Sequence, residues 1–103
     1  MGLFDMFKRK DMSAEIKEYL AKDAVILDVR TLAEWNEGHI EQAKNIVLNL
    51  IPLEIEQIKA WKKPVIAVCR SGARSGQATQ FLTQNGVDVI NGGPWQNVAE
   101  HLE

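Results

Sequence analysis

Residues Val65–Ser75 read VIAVCRSGARS, and this segment is the most informative one about the fold. Its four leading apolar residues predict a strand that is buried on both faces, as in a parallel sheet. Pro64 can open this strand because the first residue of a strand loses little by lacking an N–H donor. From Ser75 to Gly86 the apolar residues recur at helical spacing. The stretch therefore predicts a strand, a short loop and a helix, with Cys69 at the strand's carboxyl end.

A second apolar run, Ala24–Val29, is interrupted only by Asp28 near its carboxyl end. Strands that alternate with helices indicate an α/β domain of three layers, with a mainly parallel central sheet flanked by helices. In such sheets ligands bind at the carboxyl ends of the strands. Asp28 and Cys69 are both predicted to lie at that end.

Periodicity and capping signals predict the remaining elements. Thr31 and Glu34 form the pattern of a capping box at the start of a short helix. The predicted helices begin at Ser13 as N-cap, at Thr31 (to about Gly38), at Ile51 (to about Lys62) and, weakly, at Trp95 (to Leu102); short strands are predicted over Asn45–Val47 and Val87–Ile90, and a turn over Asn91–Pro94.

Composition excludes several classes of protein. The 103 residues carry a net charge of −2, one cysteine and two histidines. They give no bulk attraction to nucleic acid, no intrachain disulfide and too few ligands for structural zinc. We expect one domain over residues 13–103 after a mobile tail of residues 1–12. Because the N-terminus shows neither a signal peptide nor a membrane span, a cytoplasmic location is predicted.

Cys69 lies where its surroundings can favour the thiolate over the thiol. The backbone N–H groups of the following loop can turn inward, and Gly72 gives that backbone the freedom to do so. The helix start contributes the positive end of its dipole, and Arg70 and Arg74 add positive charge. These effects lower a thiol pKa and attract anions. A second interpretation stays open here, in which Cys69 is a small buried hydrophobe and the two arginines are solvated.

Three residues near the end of the first strand have structural interpretations that we favour over catalytic ones. Asp28 and Arg30 are expected to form an ion pair or to cap a helix. His39 has the chemistry of a general base, but its position between Gly38 and Ile40 favours a local packing role.

Three separate motifs give the chain a family resemblance from about Ala24 to its end. It resembles the single-domain rhodaneses, and the resemblance rests on Leu27–Arg30 with Glu34-Trp35 and Gly38–Ile40, on the loop Cys69–Ser75, and on Asn91–Gly93 before Trp95. Gln42 and Pro94 depart from the family pattern and affect local turns more than chemistry.

The resemblance implies a sulfurtransferase that needs no metal or organic cofactor. Cys69 would take a sulfane sulfur from a small anionic donor such as thiosulfate, hold it as a persulfide, and pass it to cyanide, a thiol or a sulfur-carrier protein. Arg70 and Arg74 would hold the donor, and Asp28, Arg30 and His39 would belong to the scaffold. The loop that would cradle the persulfide comprises Arg70, Ser71, Gly72, Ala73, Arg74 and Ser75.

Two other functions remain as alternatives. Cysteine-loop phosphatases and arsenate reductases have a similar loop, but they need an arginine where this chain has Ser75, so the loop suits sulfur transfer better. A rhodanese-like module that only binds a partner or senses redox state is the other alternative, although this chain retains the loop cysteine.

Overall fold

The structure is a computed structural model that describes residues 12–102. The predicted N-terminal tail, apart from Met12, lies outside the described residues. Five α-helices are present in the described part: α1 Ser13–Ala21, α2 Leu32–Glu37, α3 Ile55–Ala60, α4 Ala73–Gln84 and α5 Trp95–Ala99. A 3-10 helix spans Leu48–Glu54, and the strands are β1 Val25–Asp28, β2 Lys44–Asn45, β3 Val65–Cys69 and β4 Val89–Pro94.

The four strands form one parallel sheet in the order β2-β1-β3-β4. Successive residues of β3 point to opposite faces, so that Val65 and Cys69 join one apolar cluster while Ile66 and Val68 join the other. The first cluster packs under the 3-10 helix, α3 and α4, and the second packs under α1 and α5. The predicted three-layer α/β fold with a parallel central sheet is therefore confirmed.

The predicted capping box is also confirmed. Glu34 N–H donates to Thr31 Oγ1 at 3.2 Å, and Thr31 N–H donates to Glu34 Oε1 at 3.0 Å. Ser13, in contrast, is the first residue of α1 rather than its cap, a position that Met12 takes. Helix α4 begins at Ala73, two residues earlier than its apolar period indicates.

The predicted helix from Ile51 to Lys62 is wrong in its first half. That part belongs to the 3-10 helix, and the regular α3 covers only Ile55–Ala60. The helical segment begins at Leu48, so Pro52 lies inside it and not in its first turn. There proline has no N–H for an α-helical hydrogen bond, and its ring clashes with the preceding α-helical turn. The short strand predicted over Asn45–Val47 is Lys44–Asn45 instead.

The predicted turn over Asn91–Pro94 is wrong, because these residues continue β4. The strand starts at Val89 and stays paired with β3 by means of a bulge: Ala67 pairs with Asn91, and the next pair is Val68 with Gly93. Gly92 is the extra residue. A Cβ there would lie 2.8 Å from Ile66 Cγ2, so only glycine fits this close approach.

Candidate active site

Cys69 ends β3 at the carboxyl end of the sheet, and its side chain is fully buried. The chain then turns back over the sulfur because Gly72 adopts a left-handed conformation (φ +104°) just before α4. The Gly72 N–H donates to Sγ at 3.0 Å and the Ser75 N–H donates to it at 3.4 Å. Ser75 Oγ lies 3.3 Å from the same sulfur.

These contacts favour the thiolate form of Cys69. Burial is the largest single influence and raises the pKa of the thiol, because a charged sulfur is less stable away from water. The hydrogen bonds offered by the Ser75 hydroxyl and by the N–H groups of Ser75, Gly72 and Ser71 together outweigh burial, so the pKa lies below its ordinary value. Cys69 is thus buried, as expected if it were only a small hydrophobic residue of the core. Its sulfur is nevertheless surrounded by hydrogen-bond donors, which such a residue does not need.

Arg74 does not stand free beside the sulfur. Its guanidinium donates to both carboxylate oxygens of Glu34, at 2.8 and 3.0 Å. The bond from Arg74, followed by that from the Thr31 N–H, lowers the pKa of Glu34 to about 2. Arg70 is different, because its side chain is 75% exposed and its nearest carboxylate oxygen, on Glu34, is 3.9 Å away. Of the two arginines predicted to hold a donor, Arg70 is therefore the more available.

Asp28 and Arg30 form a buried ion pair at the end of β1. Arg30 Nη2 donates to Asp28 Oδ2 at 2.8 Å and Nε donates to Oδ1 at 2.9 Å. Arg30 also donates to the carbonyls of Glu34 and Gly38, at 3.2 and 2.7 Å, and lies over the ring of Trp95. Arg30 thereby links the middle and the C-cap of α2 to the end of β1, which agrees with the structural role favoured from the sequence.

His39 stays within its own segment. Its ring stacks on Trp35 with centroids 3.7 Å apart, and Nδ1 lies 2.8 Å from the Trp35 carbonyl oxygen. The geometry agrees with the local packing role favoured from the sequence.

One residue of the site was missed by sequence reasoning. Asn91 Nδ2 donates to the Gly72 carbonyl at 3.1 Å, while Oδ1 accepts from Ser75 Oγ at 2.6 Å and from the Gly93 N–H at 2.9 Å. Asn91 lies within the third motif of the resemblance, but its assignment to a turn hid its contact with the loop.

The remaining candidate loop residues, Ser71 and Ala73, are exposed. A polar cleft of about 210 Å³ is lined by Arg70 from the loop and by Arg30, Glu34 and Trp95 among others. A larger cleft of about 600 Å³ lies at the opposite end of the sheet, around Lys62 and Asp88.

Within residues 12–102 no helix is long and apolar enough to cross a membrane, and no cluster of three or more His, Cys, Asp or Glu side chains could hold a metal.

A parallel α/β domain whose strand-end cysteine is enclosed by N–H donors and followed directly by a helix is a cysteine-loop domain. The family model for the rhodanese-like domain matches residues 12–96. The chain therefore belongs to the rhodanese-like sulfurtransferase family, as the three motifs indicate.

Individual relatives agree with this family. A protein named sulfurtransferase from Allochromatium vinosum is 40% identical over 65 residues, which are 63% of this chain and 60% of that protein. The thiosulfate sulfurtransferase GlpE of Shewanella oneidensis is 30% identical over 84 residues, or 82% of each chain. The crystal structure of SSP1007 from Staphylococcus saprophyticus superposes with a TM-score of 0.69 at 32% identity and covers 84% of this chain and 88% of that one. The chain thus spans about three fifths of the first relative and most of the other two.

Proposed function

We propose that this chain is a sulfurtransferase of the thiosulfate type with Cys69 as its nucleophile. The observation that carries the proposal is the set of donors directed at the Cys69 sulfur by Gly72 and Ser75. Such donors stabilise a thiolate, which is the nucleophilic form of cysteine. They equally suit the anionic end of a persulfide.

The proposed cycle has two displacement steps on sulfur. The Cys69 thiolate attacks the sulfane sulfur of thiosulfate, a new S–S bond forms, the bond to the sulfonate sulfur breaks, and sulfite leaves with the electron pair. The persulfide then gives its outer sulfur to a nucleophilic acceptor such as cyanide, a thiol or a sulfur-carrier protein. In that second step thiocyanate or a new persulfide forms and the Cys69 thiolate returns, so no external oxidant or reductant is needed.

The charges around the loop fit a small anionic donor. Arg70 stands at the rim of the 210 Å³ cleft and is open to solvent, so it can meet the donor first. Because Cys69 is fully buried, the donor has to be small, and the acceptor has to be small or to present a protruding thiol. We assign the protein to the cytoplasm, where a lone thiol stays reduced.

The phosphatase alternative fits the geometry less well. Ser75 occupies the position at which that chemistry needs a guanidinium, and its hydroxyl faces the sulfur at 3.3 Å. The neighbouring Arg74 is committed to Glu34 by two hydrogen bonds. Neither Ser75 nor Arg74 therefore supplies the guanidinium that has to fold over a transferred phosphate.

Intact mass spectrometry tests the proposed function. Reduced protein is measured before and after thiosulfate and again after cyanide, beside Cys69→Ser as the matched variant that differs by one atom at the nucleophile. We expect wild type alone to gain one sulfur atom and to lose it to cyanide as thiocyanate. No gain on wild type, or an equal gain on Cys69→Ser, would contradict the proposal and leave a binding or redox module.

A further inference from the structure

The orientation of the Asn91 amide is set by two backbone groups. Nδ2 faces the Gly72 carbonyl oxygen at 3.1 Å, and Oδ1 faces the Gly93 N–H at 2.9 Å. If the amide were flipped, its oxygen would face the Gly72 carbonyl oxygen, which is also an acceptor. Its NH₂ group would face the Gly93 N–H, which is also a donor. Asn91 Oδ1 is therefore an acceptor, and the hydroxyl of Ser75, at 2.6 Å, has to be the donor in that contact.

Ser75 has two possible acceptors but only one hydroxyl proton. Its Oγ lies 2.6 Å from Asn91 Oδ1 and 3.3 Å from Cys69 Sγ. When Cys69 is a thiol, the shorter contact holds the proton on the Asn91 side, and the S–H group can donate to Ser75 Oγ. When the thiol loses its proton to solvent, the sulfur becomes a charged acceptor and competes with Asn91 for the Ser75 proton.

We propose that Asn91 is a positioning residue that competes with the Cys69 sulfur for the Ser75 proton and thereby limits how readily this sulfur ionises. Asn91 has little room to move away from Ser75, because its amide packs closely against α4: a Cβ on Gly76 would lie 3.3 Å from Asn91 Nδ2. The inference rests on the proposed function only in taking Cys69 as the nucleophile.

Charged groups near Cys69 do not account for this competition. Arg74 of α4 is paired with Glu34, Asp28 is paired with Arg30 at the end of β1, and Arg70 faces solvent. β4 and α5 contain no ionisable side chain. Helix α1 packs on the other face of the sheet, the charged residues of α3 are exposed, and the 3-10 helix has a single charge at its last position, Glu54.

The test is the pH dependence of Cys69 alkylation by iodoacetamide, which requires no sulfur transfer. We expect Asn91→Ala to move the midpoint to lower pH by about half a unit, or ~3-fold faster alkylation below the midpoint, because Ser75 is then free to donate to the thiolate. Ser75→Ala should move it to higher pH, since it removes that donor. In the Ser75→Ala background, Asn91→Ala should have no further effect.

Asn85→Ala is the matched control. Its amide also donates to a backbone carbonyl, that of Phe81, at 2.9 Å, but it lies at the opposite end of α4. Its alkylation midpoint should equal that of wild type. Asn91→Val serves as a second variant if Asn91→Ala does not fold, because valine suits a strand and offers no acceptor.

The sign of the shift separates this role from a structural one. If Asn91 only holds the loop in place, its loss loosens Gly72 and moves the midpoint to higher pH. That result, an unchanged midpoint, or an equal shift with and without the Ser75 hydroxyl would overturn the inference. A failed persulfide assay would leave this measurement unaffected, so the two proposals fail separately.

Discussion

The two ends of the parallel sheet use charge in different ways. At the carboxyl end, the pair Asp28–Arg30 is buried and the pair Glu34–Arg74 is partly buried, and each pair is joined by at least two hydrogen bonds. At the amino end, the Lys63–Asp23 pair has one contact at 2.7 Å, and its side chains are 46% and 82% exposed. The larger cleft is at this amino end.

Directed donors, and not cavity size, distinguish the candidate site from the opposite end of the sheet. An exposed ion pair contributes little because water already satisfies both charges. Shielded pairs instead fix positions, since each charge must keep its partner. The carboxyl end therefore holds a fixed frame near the sulfur that we propose as the nucleophile, and we expect changes to the exposed pair at the amino end to have a small effect.

The largest contrast should come from removing one carboxylate at each end. Asp28→Asn leaves the Arg30 charge buried without its partner, and we expect a loss of about 3 kcal/mol in the free energy of unfolding. Asp23→Asn, the matched change in the exposed pair, should leave the free energy of unfolding unchanged. Urea denaturation of both variants checks this contrast, and equal losses would remove the proposed difference between the two ends.

The next effect concerns the selectivity of the site for anions. Arg74→Ala removes a positive charge and leaves the Glu34 carboxylate beside the loop, so Cys69 should react ~10-fold more slowly with iodoacetate relative to neutral iodoacetamide. The ratio of the two alkylation rates corrects for any change in thiol ionisation. An unchanged ratio would show that Arg74 has no influence on anionic reagents.

Glu34→Gln should act in the opposite direction and more weakly. Glutamine keeps the capping box at α2 and frees Arg74, so the same rate ratio should rise by ~3-fold. Glu37→Gln, on the same helix and at the same cleft, is its control. A fall in the ratio for Glu34→Gln would mean that Arg74 needs its partner in order to face the donor.

The pH dependence of stability offers a finer test of the Glu34–Arg74 pair. Because the folded pKa of Glu34 is lowered to about 2, the pair stabilises the fold above the ordinary carboxyl pKa and is lost as pH falls through about 2. The difference in stability between wild type and Glu34→Gln should therefore be constant at neutral pH and shrink only in acid. A difference that changes between neutral and mildly alkaline pH would contradict this assignment.

The smallest effect is spectroscopic and lies at the amino end. Tyr19, the one tyrosine of the chain, donates its hydroxyl to Asp88, and this bond, with burial and the nearby negative charge, raises its pKa to about 12. The stabilisation is complete below the ordinary tyrosine pKa and is lost as pH rises through about 12. Asp88→Asn should return the phenolate absorbance midpoint towards its ordinary value, whereas Asp23→Asn should not move it.

Local patterns in the sequence predicted most of the fold. The apolar runs of β1 and β3 and the capping box of α2 depend on neighbouring residues, and they form as predicted. The error at Asn91–Pro94 arises because a distant contact overrides local preference. Asn91–Pro94 has the composition of a turn, yet pairing with β3 keeps it extended.

The candidate site shows the same division. Cys69 and its loop are contiguous, so the sequence reveals the N–H donors and the following helix. The partners of that loop are not contiguous: Glu34 is 40 residues from Arg74, and Asn91 is 16 residues from Ser75. Glu34 is recognisable locally as a capping residue, and only the sheet order brings its carboxylate to Arg74.

The outermost strands also affect how copies of this molecule meet one another at high concentration. β2 is only two residues long, and β4 contains a bulge, then Gly93 with φ +79°, and ends in Pro94, which has no N–H. Intermolecular strand pairing needs a long, flat row of free backbone donors and acceptors. Since neither border strand within residues 12–102 offers such a row, we expect the sheet to resist edge-to-edge pairing between copies.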